Sequence, residues 1–243
     1  MNSPTIIGSA TLYNMDCMTL LKATPDNFYE LAIVDPPYGI NAPIMSPTPT
    51  PTQRNRRQRL NGGGGKLKNR VLNTAKYINW DNEIPSKDYF NELFRVSKNQ
   101  IIWGGNYFPL QPTRCVIAWD KVQPWENFSQ IEIAWTSFDY PASLFKFDNR
   151  TGDKIHPTQK PQKLYEWLLK KYAKQGDKIL DTHLGSMSSV IACLNMGFEI
   201  TGCELDADYF VAGVKRVEQS QKQSPLFAPA PPAIQQIQEG MFA

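Results

Sequence analysis

The chain has 243 residues, of which 41% are hydrophobic and 20% charged, and its formal net charge is +3; this composition excludes a disordered or fibrous protein. No stretch reaches the roughly 18 apolar residues of a membrane helix, and the N-terminus lacks the pattern of a secretory signal, so we expect a cytoplasmic protein. The cysteines are widely spaced without a CxxC pair, which predicts neither a disulfide framework nor a metal site.

The first predicted element is a short buried strand, Glu30–Asp35, which ends at two prolines. The next segment, 44–72, is rich in Pro, Thr and Gly, so we expect a mobile insertion. Its basic residues stand in a stretch, 36–80, that has no Asp or Glu, whereas the rest of the chain is mildly acidic. A polyanion is the expected partner of this basic set. The set comprises Arg54, Arg56, Arg57, Arg59, Lys66, Lys68 and Arg70.

The middle of the chain alternates between helical and extended patterns. Apolar residues at helical spacing predict a helix over 87–97, and strands are predicted at 100–103 and 115–119. The aromatic-rich region 124–149 has no clean period and is interpreted only as loop or short strands. An amphipathic helix is predicted over 162–174.

The most regular pattern lies near the C-terminus. It predicts a strand at 178–181, a helix at 186–196, a strand at 198–204 and a helix at 207–217. This βαβα alternation predicts an α/β fold with a mostly parallel, helix-covered sheet. Residues 218–243 are rich in Gln, Pro and Ala and are expected to form a flexible tail.

Acidic residues end two of these predicted strands. Ligands of open α/β sheets bind outside the carboxyl ends of the strands, where Asp181 and Glu204 stand. With Gly185 in the intervening turn, the spacing is typical of a nucleoside-binding half. The repeated glycines of a dinucleotide-binding turn are absent, and an ordinary βαβ turn remains an alternative.

The strand before the insertion ends at Asp35-Pro36-Pro37-Tyr38. Prolines have no N–H group, so nearby carbonyls stay free as acceptors beside the Asp35 carboxylate. Two acceptors could bind both protons of an aromatic amino group and free its lone pair for reaction, while Tyr38 stacks on the ring. The alternative is a tight proline turn in which Asp35 is a local cap.

Together the motifs resemble those of the amino-methylating DNA methyltransferases. They are Asp35–Tyr38, His156–Pro161 and Asp181–Ser186 followed by Gly202–Glu204. Their order resembles that of the β group, and especially its stand-alone phage and prophage enzymes, over about residues 10–217. The resemblance implies a Rossmann-like, S-adenosylmethionine-dependent methyltransferase domain over 1–217.

The resemblance also implies roles for individual residues. Asp35, Pro36, Pro37 and Tyr38 would hold the target base. The cofactor would contact Asp16, Cys17, Thr158, Gln159, Lys160, Asp181, Thr182, Gly185, Ser186 and Glu204. Two of these assignments have alternatives, since Lys160 could be a solvated charge at a helix start and Asp16-Cys17 only a strand end. The sequence departs from the family pattern at Met187, which replaces a glycine.

The cysteine positions and the first residue of the Asp35–Tyr38 motif limit which atom of the base is methylated. No cysteine follows a proline, which excludes methylation at cytosine C5. In the resembling family an Asp at the first motif position goes mostly with adenine, so we expect direct transfer of the sulfonium methyl to adenine N6 in a flipped-out base. The alternatives are cytosine N4 methylation, an RNA substrate, or a catalytically silent protein that binds DNA or the cofactor.

The expected partner is double-stranded DNA, bound through the basic insertion. Base-specific contacts would come from that insertion or from region 122–153, where the resembling enzymes place their recognition segment. The family also includes homodimers. Gln223–Phe227 resembles the QxxLF peptides that bind bacterial sliding clamps, although a chance match is an equal alternative.

Overall fold

The computed structural model describes residues 3–40, 81, 83–122, 129–148 and 159–222. The predicted insertion 44–72, with its seven basic residues, therefore lies outside the described residues, as do Thr158 and the segment Gln223–Phe227. Within the described ranges, no helix combines the length and the apolar character that a membrane crossing requires.

The described residues form one nine-stranded sheet. In chain order its strands are β1 (Thr5–Ile7), β2 (Ala10–Asn14), β3 (Tyr29–Val34), β4 (Ser97–Trp103), β5 (Val116–Asp120), β6 (Ile131–Thr136), β7 (Ser143–Lys146), β8 (Lys178–Asp181) and β9 (Glu199–Glu204). Across the sheet the order is β1-β2-β9-β8-β3-β4-β6-β5-β7. Strands β2, β9, β8, β3 and β4 are parallel neighbours. The predicted α/β fold with a mostly parallel sheet is confirmed.

Strand β6 interrupts this parallel order, because it is antiparallel to both β4 and β5. Strand β7 then pairs with β5 in parallel at the far edge of the sheet. These two strands lie in the region that has no clean sequence period. They are short and only partly buried, so apolar and polar residues do not alternate regularly along them.

Helices cover both faces of the sheet. They are α1 (Cys17–Ala23), α2 (Lys87–Val96), α3 (Gln162–Tyr172), α4 (Ser188–Met196) and α5 (Ala207–Lys222), with a 3₁₀ turn at Gly105–Tyr107. Alternate residues of β3 enter two separate cores: Leu31 and Ile33 pack with residues of α3, α4 and α5, whereas Ala32 and Val34 pack with residues of α1 and α2. Because β3 is buried on both faces from Leu31 onward, its sequence from Leu31 to Val34 is a continuous apolar run.

Four predicted helix bounds need correction, of which two are small: α2 ends at Val96 and α3 at Tyr172, one and two residues before their predicted ends. Helix α5 continues through Lys222, past the predicted end at Val217, because its last turn is made of good helix formers and the first proline comes later, at Pro225. Helix α4 begins at Ser188 rather than Ser186, because Met187 has a left-handed backbone conformation.

Candidate active site

The carboxyl end of β3 carries a compact polar cluster. The Tyr38 hydroxyl donates a hydrogen bond of 2.6 Å to Asp35 Oδ1. Lys160 Nζ lies 2.5 Å from Asp35 Oδ2 and donates to the Tyr38 hydroxyl at 3.1 Å. Asp35, Tyr38 and Lys160 therefore form a closed triangle in which each side chain contacts the other two.

The turn after β3 is fixed by its neighbours. Asp81 Oδ1 accepts hydrogen bonds from the backbone N–H of Tyr38 at 2.6 Å and of Gly39 at 3.0 Å. The Tyr38 ring stacks on Tyr107 with ring centroids 5.1 Å apart. A side chain at Gly104, whose φ is +72°, would overlap the Tyr38 ring, so this position needs glycine for both its conformation and its space.

Lys160 is buried and connects Asp35 to a second acid. Only 4% of the residue is exposed. Its Nζ lies 3.1 Å from Glu132 Oε2, and Glu132 Oε1 lies 2.5 Å from Lys121 Nζ. The alternative interpretation of Lys160 as a solvated charge is therefore wrong.

The charged groups of this cluster shift one another's pKa values. Burial raises the pKa of the Asp35 carboxyl; Lys160 opposes this shift and Glu132 adds to it. Burial alone would lower the pKa of Lys160, but Asp35 and Glu132 together raise it. Burial also works against ionisation of Glu132, yet Lys160 and Lys121 lower its pKa. Lys160 and Glu132 are thus held charged, and Asp35 is the acid with increased proton affinity.

The end of β8 places Asp181 next to the start of α4. Ser189 Oγ donates to Asp181 Oδ2 at 2.6 Å, and the His183 backbone N–H donates to Oδ1 at 3.0 Å. Burial raises the pKa of Asp181 to about 7. Thr182 Oγ1 lies 2.7 Å from the Tyr89 hydroxyl, which ties this loop to α2.

The loop after Asp181 is anchored to β9 and α5. Glu204 accepts hydrogen bonds from the backbone N–H of Gly185 at 2.8 Å and of Asp206 at 3.0 Å. The carbonyl of Ser186 accepts a hydrogen bond of 2.6 Å from Arg216. Next to Glu204, Leu205 is 71% exposed.

Asp16 and Cys17 follow β2, which pairs with β9 so that Asn14 is opposite Glu204. Asp16 caps α1 by accepting hydrogen bonds from the backbone N–H groups of Met18 and Thr19. Cys17 begins the helix, and burial raises the pKa of its thiol to about 11. Asp16 therefore stabilises the start of α1 at this edge of the sheet.

Four of the predicted site acids are thus gathered at one edge of the sheet. Asp16, Glu204, Asp181 and Asp35 stand at the carboxyl ends of β2, β9, β8 and β3, which are neighbours in that order. Lys160 contacts Asp35 at this edge.

Four further residues of the site were missed by the sequence analysis: Lys121, Glu132, Asp81 and Tyr107. For Glu132 a signal was available, because a single acid in the otherwise apolar run Ile131–Trp135 is unusual. Asp81 is the first acid after the long stretch without any.

Met187, which replaces the glycine of the resembling pattern, keeps a glycine-like backbone with φ +58° and ψ +31°. Its side chain is fully buried and packs against Gly213 of α5. A Cβ at Gly213 would lie 2.8 Å from Met187 Cγ and 2.9 Å from Sδ. The missing side chain at Gly213 therefore provides the space that Met187 fills.

Gly213→Ala is expected to lower the free energy of unfolding by roughly 1 kcal/mol, because overpacking against Met187 costs about 1–3 kcal/mol and the better helix propensity of alanine offsets only about 1 kcal/mol of it. Urea unfolding followed by circular dichroism measures this change. Val211→Ala, on the same helix at a position 67% exposed, is the control and should be nearly neutral. A Gly213→Ala variant as stable as this control would contradict the packing argument.

The parallel sheet carries acids at the carboxyl ends of four neighbouring strands, an arrangement typical of Rossmann-like α/β folds. Residues 102–215 match the family model described as DNA methylase, N6_N4_Mtase. The predicted resemblance to amino-methylating DNA methyltransferases is thereby confirmed over this part of the chain.

Individual proteins with similar sequence or structure are consistent with this match. The chain is 27% identical over 149 residues to the Type II methyltransferase M2.DpnII of Streptococcus pneumoniae, covering 61% of this chain and 52% of that protein. It thus spans about half the length of the curated relatives it matches.

Two solved structures share the fold. The PvuII DNA methyltransferase, which is cytosine-N4-specific, aligns with a TM-score of 0.57 at 13% identity, over 91% of this chain and 94% of that one. The M1.HpyAVI–SAM complex aligns with a TM-score of 0.50 at 19% identity, over 85% and 99%. At these identities the likeness establishes the fold alone.

Proposed function

We propose that the chain is a DNA methyltransferase that transfers a methyl group from S-adenosylmethionine to the N6 amino group of a flipped-out adenine. The observation that carries this proposal is the Asp35 carboxylate, which precedes a Pro-Pro turn and contacts the Tyr38 hydroxyl and the buried Lys160 ammonium. The match to the DNA methylase family over residues 102–215 supports the same reaction class.

Asp35 has the two properties that the reaction needs. Its carboxylate oxygens have further lone pairs beyond those bound by Tyr38 and Lys160, so one of them accepts a hydrogen bond from the amino group while the Pro36 carbonyl accepts another. When the amino nitrogen forms its bond to the methyl carbon, it becomes positively charged and must lose a proton. Burial raises the pKa of Asp35, which increases the basicity of this carboxylate and suits it to accept that proton.

The strand ends beside Asp35 fit S-adenosylmethionine, which supplies an electrophilic methyl group on sulfonium. Glu204 is held at the end of β9 by two backbone N–H groups, and its carboxylate suits ribose hydroxyls. The exposed Leu205 next to it offers apolar surface to an adenine ring. Asp181 and Asp16 are acids at the ends of the flanking strands, and Thr182, Gly185 and Ser186 belong to the loop between β8 and α4.

Adenine is preferred to cytosine because the first motif residue is Asp35, as in most adenine-specific members of the resembling family. The cytosine-N4-specific PvuII enzyme shares the fold at 13% identity, which does not distinguish the two bases.

The test of this proposal uses methyl-tritiated S-adenosylmethionine with an unmethylated DNA duplex and, separately, an RNA of the same sequence. We expect label in the DNA and none in the RNA. Labelled RNA would contradict the assignment of DNA as the substrate. A protein that binds the cofactor in calorimetry yet labels neither polymer would be a silent binder.

The basic residues of the predicted insertion give a separate prediction about DNA affinity. Replacing Arg54, Arg56, Arg57 and Arg59 with Gln should weaken duplex binding and flatten the plot of log affinity against log salt by about 0.9 for each phosphate that is no longer neutralised. Fluorescence anisotropy at several salt concentrations measures the slope. The control makes the same charge change at four exposed lysines, namely Lys170, Lys174, Lys215 and Lys222. Equal slopes in both variants would contradict this role.

Region 122–153 as the recognition segment, homodimerisation and clamp binding through Gln223–Phe227 stay predictions. The structure describes residues 129–148 of region 122–153, and they include β6 and β7 near one edge of the sheet.

A further inference from the structure

Glu132 lies outside the motifs named in the sequence analysis, yet its side chain reaches the Asp35 cluster. It stands on β6, which pairs with β4 through a short antiparallel ladder. This pairing brings Glu132 Oε2 to 3.1 Å from Lys160 Nζ. The chain therefore places two carboxylates, from β3 and β6, on one buried ammonium.

Lys160 Nζ is held from several directions. Within 3.1 Å it has Asp35 Oδ2, Glu132 Oε2 and the Tyr38 hydroxyl. The Trp103 ring centroid lies 5.2 Å away, in a cation–π contact that further surrounds the ammonium. Because a lysine stem has four rotatable bonds, such a set of partners is needed to fix its end.

Three successive ion pairs connect four side chains of alternating charge, in the order Lys121, Glu132, Lys160 and Asp35. Removal of one member leaves its neighbour with an uncompensated, poorly solvated charge. Glu132 thus does two things to Asp35: it draws part of the Lys160 interaction to itself, and it adds a like charge nearby.

We propose that Glu132 is a positioning residue of the active site: it fixes Lys160 and shares its ammonium with Asp35, so that Asp35 remains a strong enough base to take the proton of the target amino group. Lys121 holds Glu132 in turn. This inference rests on the proposed function, because it assigns Glu132 a part in the same reaction.

Other ionisable groups also act on this cluster and stay in place in the test. Tyr38 donates to Asp35 from the turn. Tyr165 of α3 and Asp181 of β8 both interact electrostatically with Asp35. The test therefore changes Glu132 alone and compares it with an acid far from these groups.

Glu132→Gln keeps the shape of the side chain and removes its charge. The variant loses a negative charge near Asp35, and the Lys160 ammonium then pairs with the Asp35 carboxylate and no longer with a second one. Both changes should lower the pKa of the Asp35 carboxyl. Carbon-detected NMR titration of the protein without DNA or cofactor measures it, with the resonance assigned by its absence in Asp35→Asn. Glu199→Gln, at an exposed position of β9, is the control and should leave the Asp35 titration unchanged.

In methylation assays, the acid limb of the kcat–pH profile should move to lower pH in Glu132→Gln. Since Asp35 becomes a weaker base, kcat on the plateau should fall by roughly tenfold, with KM for the cofactor nearly unchanged. Glu132→Asp, which restores the charge, should return the limb toward its original position. A merely structural role would lower the amount of active enzyme and leave the limb in place.

The double variant Lys121→Met/Glu132→Gln removes a cation and an anion together, so it is the fallback if Glu132→Gln does not fold. An Asp35 titration that is the same in the folded variant and in the unmodified protein would overturn the inference. The NMR result decides this even if the protein methylates no DNA, in which case the proposed function fails separately.

Discussion

Asp35→Asn is expected to lower kcat for DNA methylation by roughly 10²- to 10⁴-fold, the usual range for a general base that also orients the reacting group. The amide has the shape of the carboxylate, but it loses the negative charge beside Lys160 and cannot take up the amino proton. One of its ends is also an NH₂ donor, which does not suit the Lys160 or Tyr38 donors that face Asp35.

Steady-state kinetics with saturating cofactor measures this loss, and calorimetry shows whether the cofactor still binds. The matched control is Asp26→Asn, where the side chain is 71% exposed and pairs with Arg95 just before the start of β3. It should leave kcat within about twofold of the unmodified protein, because exposed ion pairs contribute little. An Asp35→Asn variant that keeps more than about a tenth of the activity would remove Asp35 from the chemistry.

Lys160→Met is expected to have the largest effect on stability. The substitution leaves the carboxylates of Asp35 and Glu132 next to an apolar side chain. We expect the free energy of unfolding at neutral pH to fall by roughly 3 kcal/mol, the lower end for a broken buried pair because both acids keep some exposure. Glu132 still has Lys121, so Asp35 bears most of the cost.

The pH dependence identifies the cause. Without Lys160, burial is expected to raise the pKa of Asp35 in the folded protein further above its value in the unfolded chain. The variant is then relatively most stable below the unfolded pKa, where Asp35 is protonated in both states, and loses stability as the pH rises through the folded pKa. The difference in stability between Lys160→Met and the unmodified protein should therefore shrink on acidification.

Urea unfolding at a series of pH values measures both effects. Lys163→Met is the control, since that side chain is 65% exposed and pairs only with Glu166 at the surface among the described residues. A pH-independent loss, or a loss no larger than that of Lys163→Met, would mean that Lys160 does not neutralise the buried acids.

The sequence allowed the elements around the site to be predicted where local pattern and burial agree. Strand β8 has the predicted bounds of 178–181, since an apolar run between turn residues has few alternatives. The Pro-Pro turn ends β3 next to Asp35, as the missing N–H groups and fixed φ of proline require. These local rules placed Asp35, Asp181 and Glu204 at strand ends.

The features of the site that the sequence did not predict depend on contacts between distant parts of the chain. Glu132 reaches Lys160 only because β6 pairs antiparallel between β4 and β5, and a partly buried strand has no periodic signal for that position. Lys160 was assigned to the cofactor or to solvent because its two acidic partners come from other strands. The space that Gly213 leaves for Met187 is likewise a contact between α5 and the loop before α4.

Methylation of the adenine N6 amino group is the reaction that we propose for the Asp35 site. The most direct measurement incubates the protein with unmethylated DNA and S-adenosylmethionine carrying a deuterated methyl group, digests the DNA to nucleosides and identifies the labelled base by mass spectrometry. We expect labelled N6-methyladenine from the unmodified protein and none from Asp35→Asn. Labelled N4-methylcytosine would contradict the assignment of the base, and no labelled base from a folded protein that binds the cofactor would contradict the reaction itself.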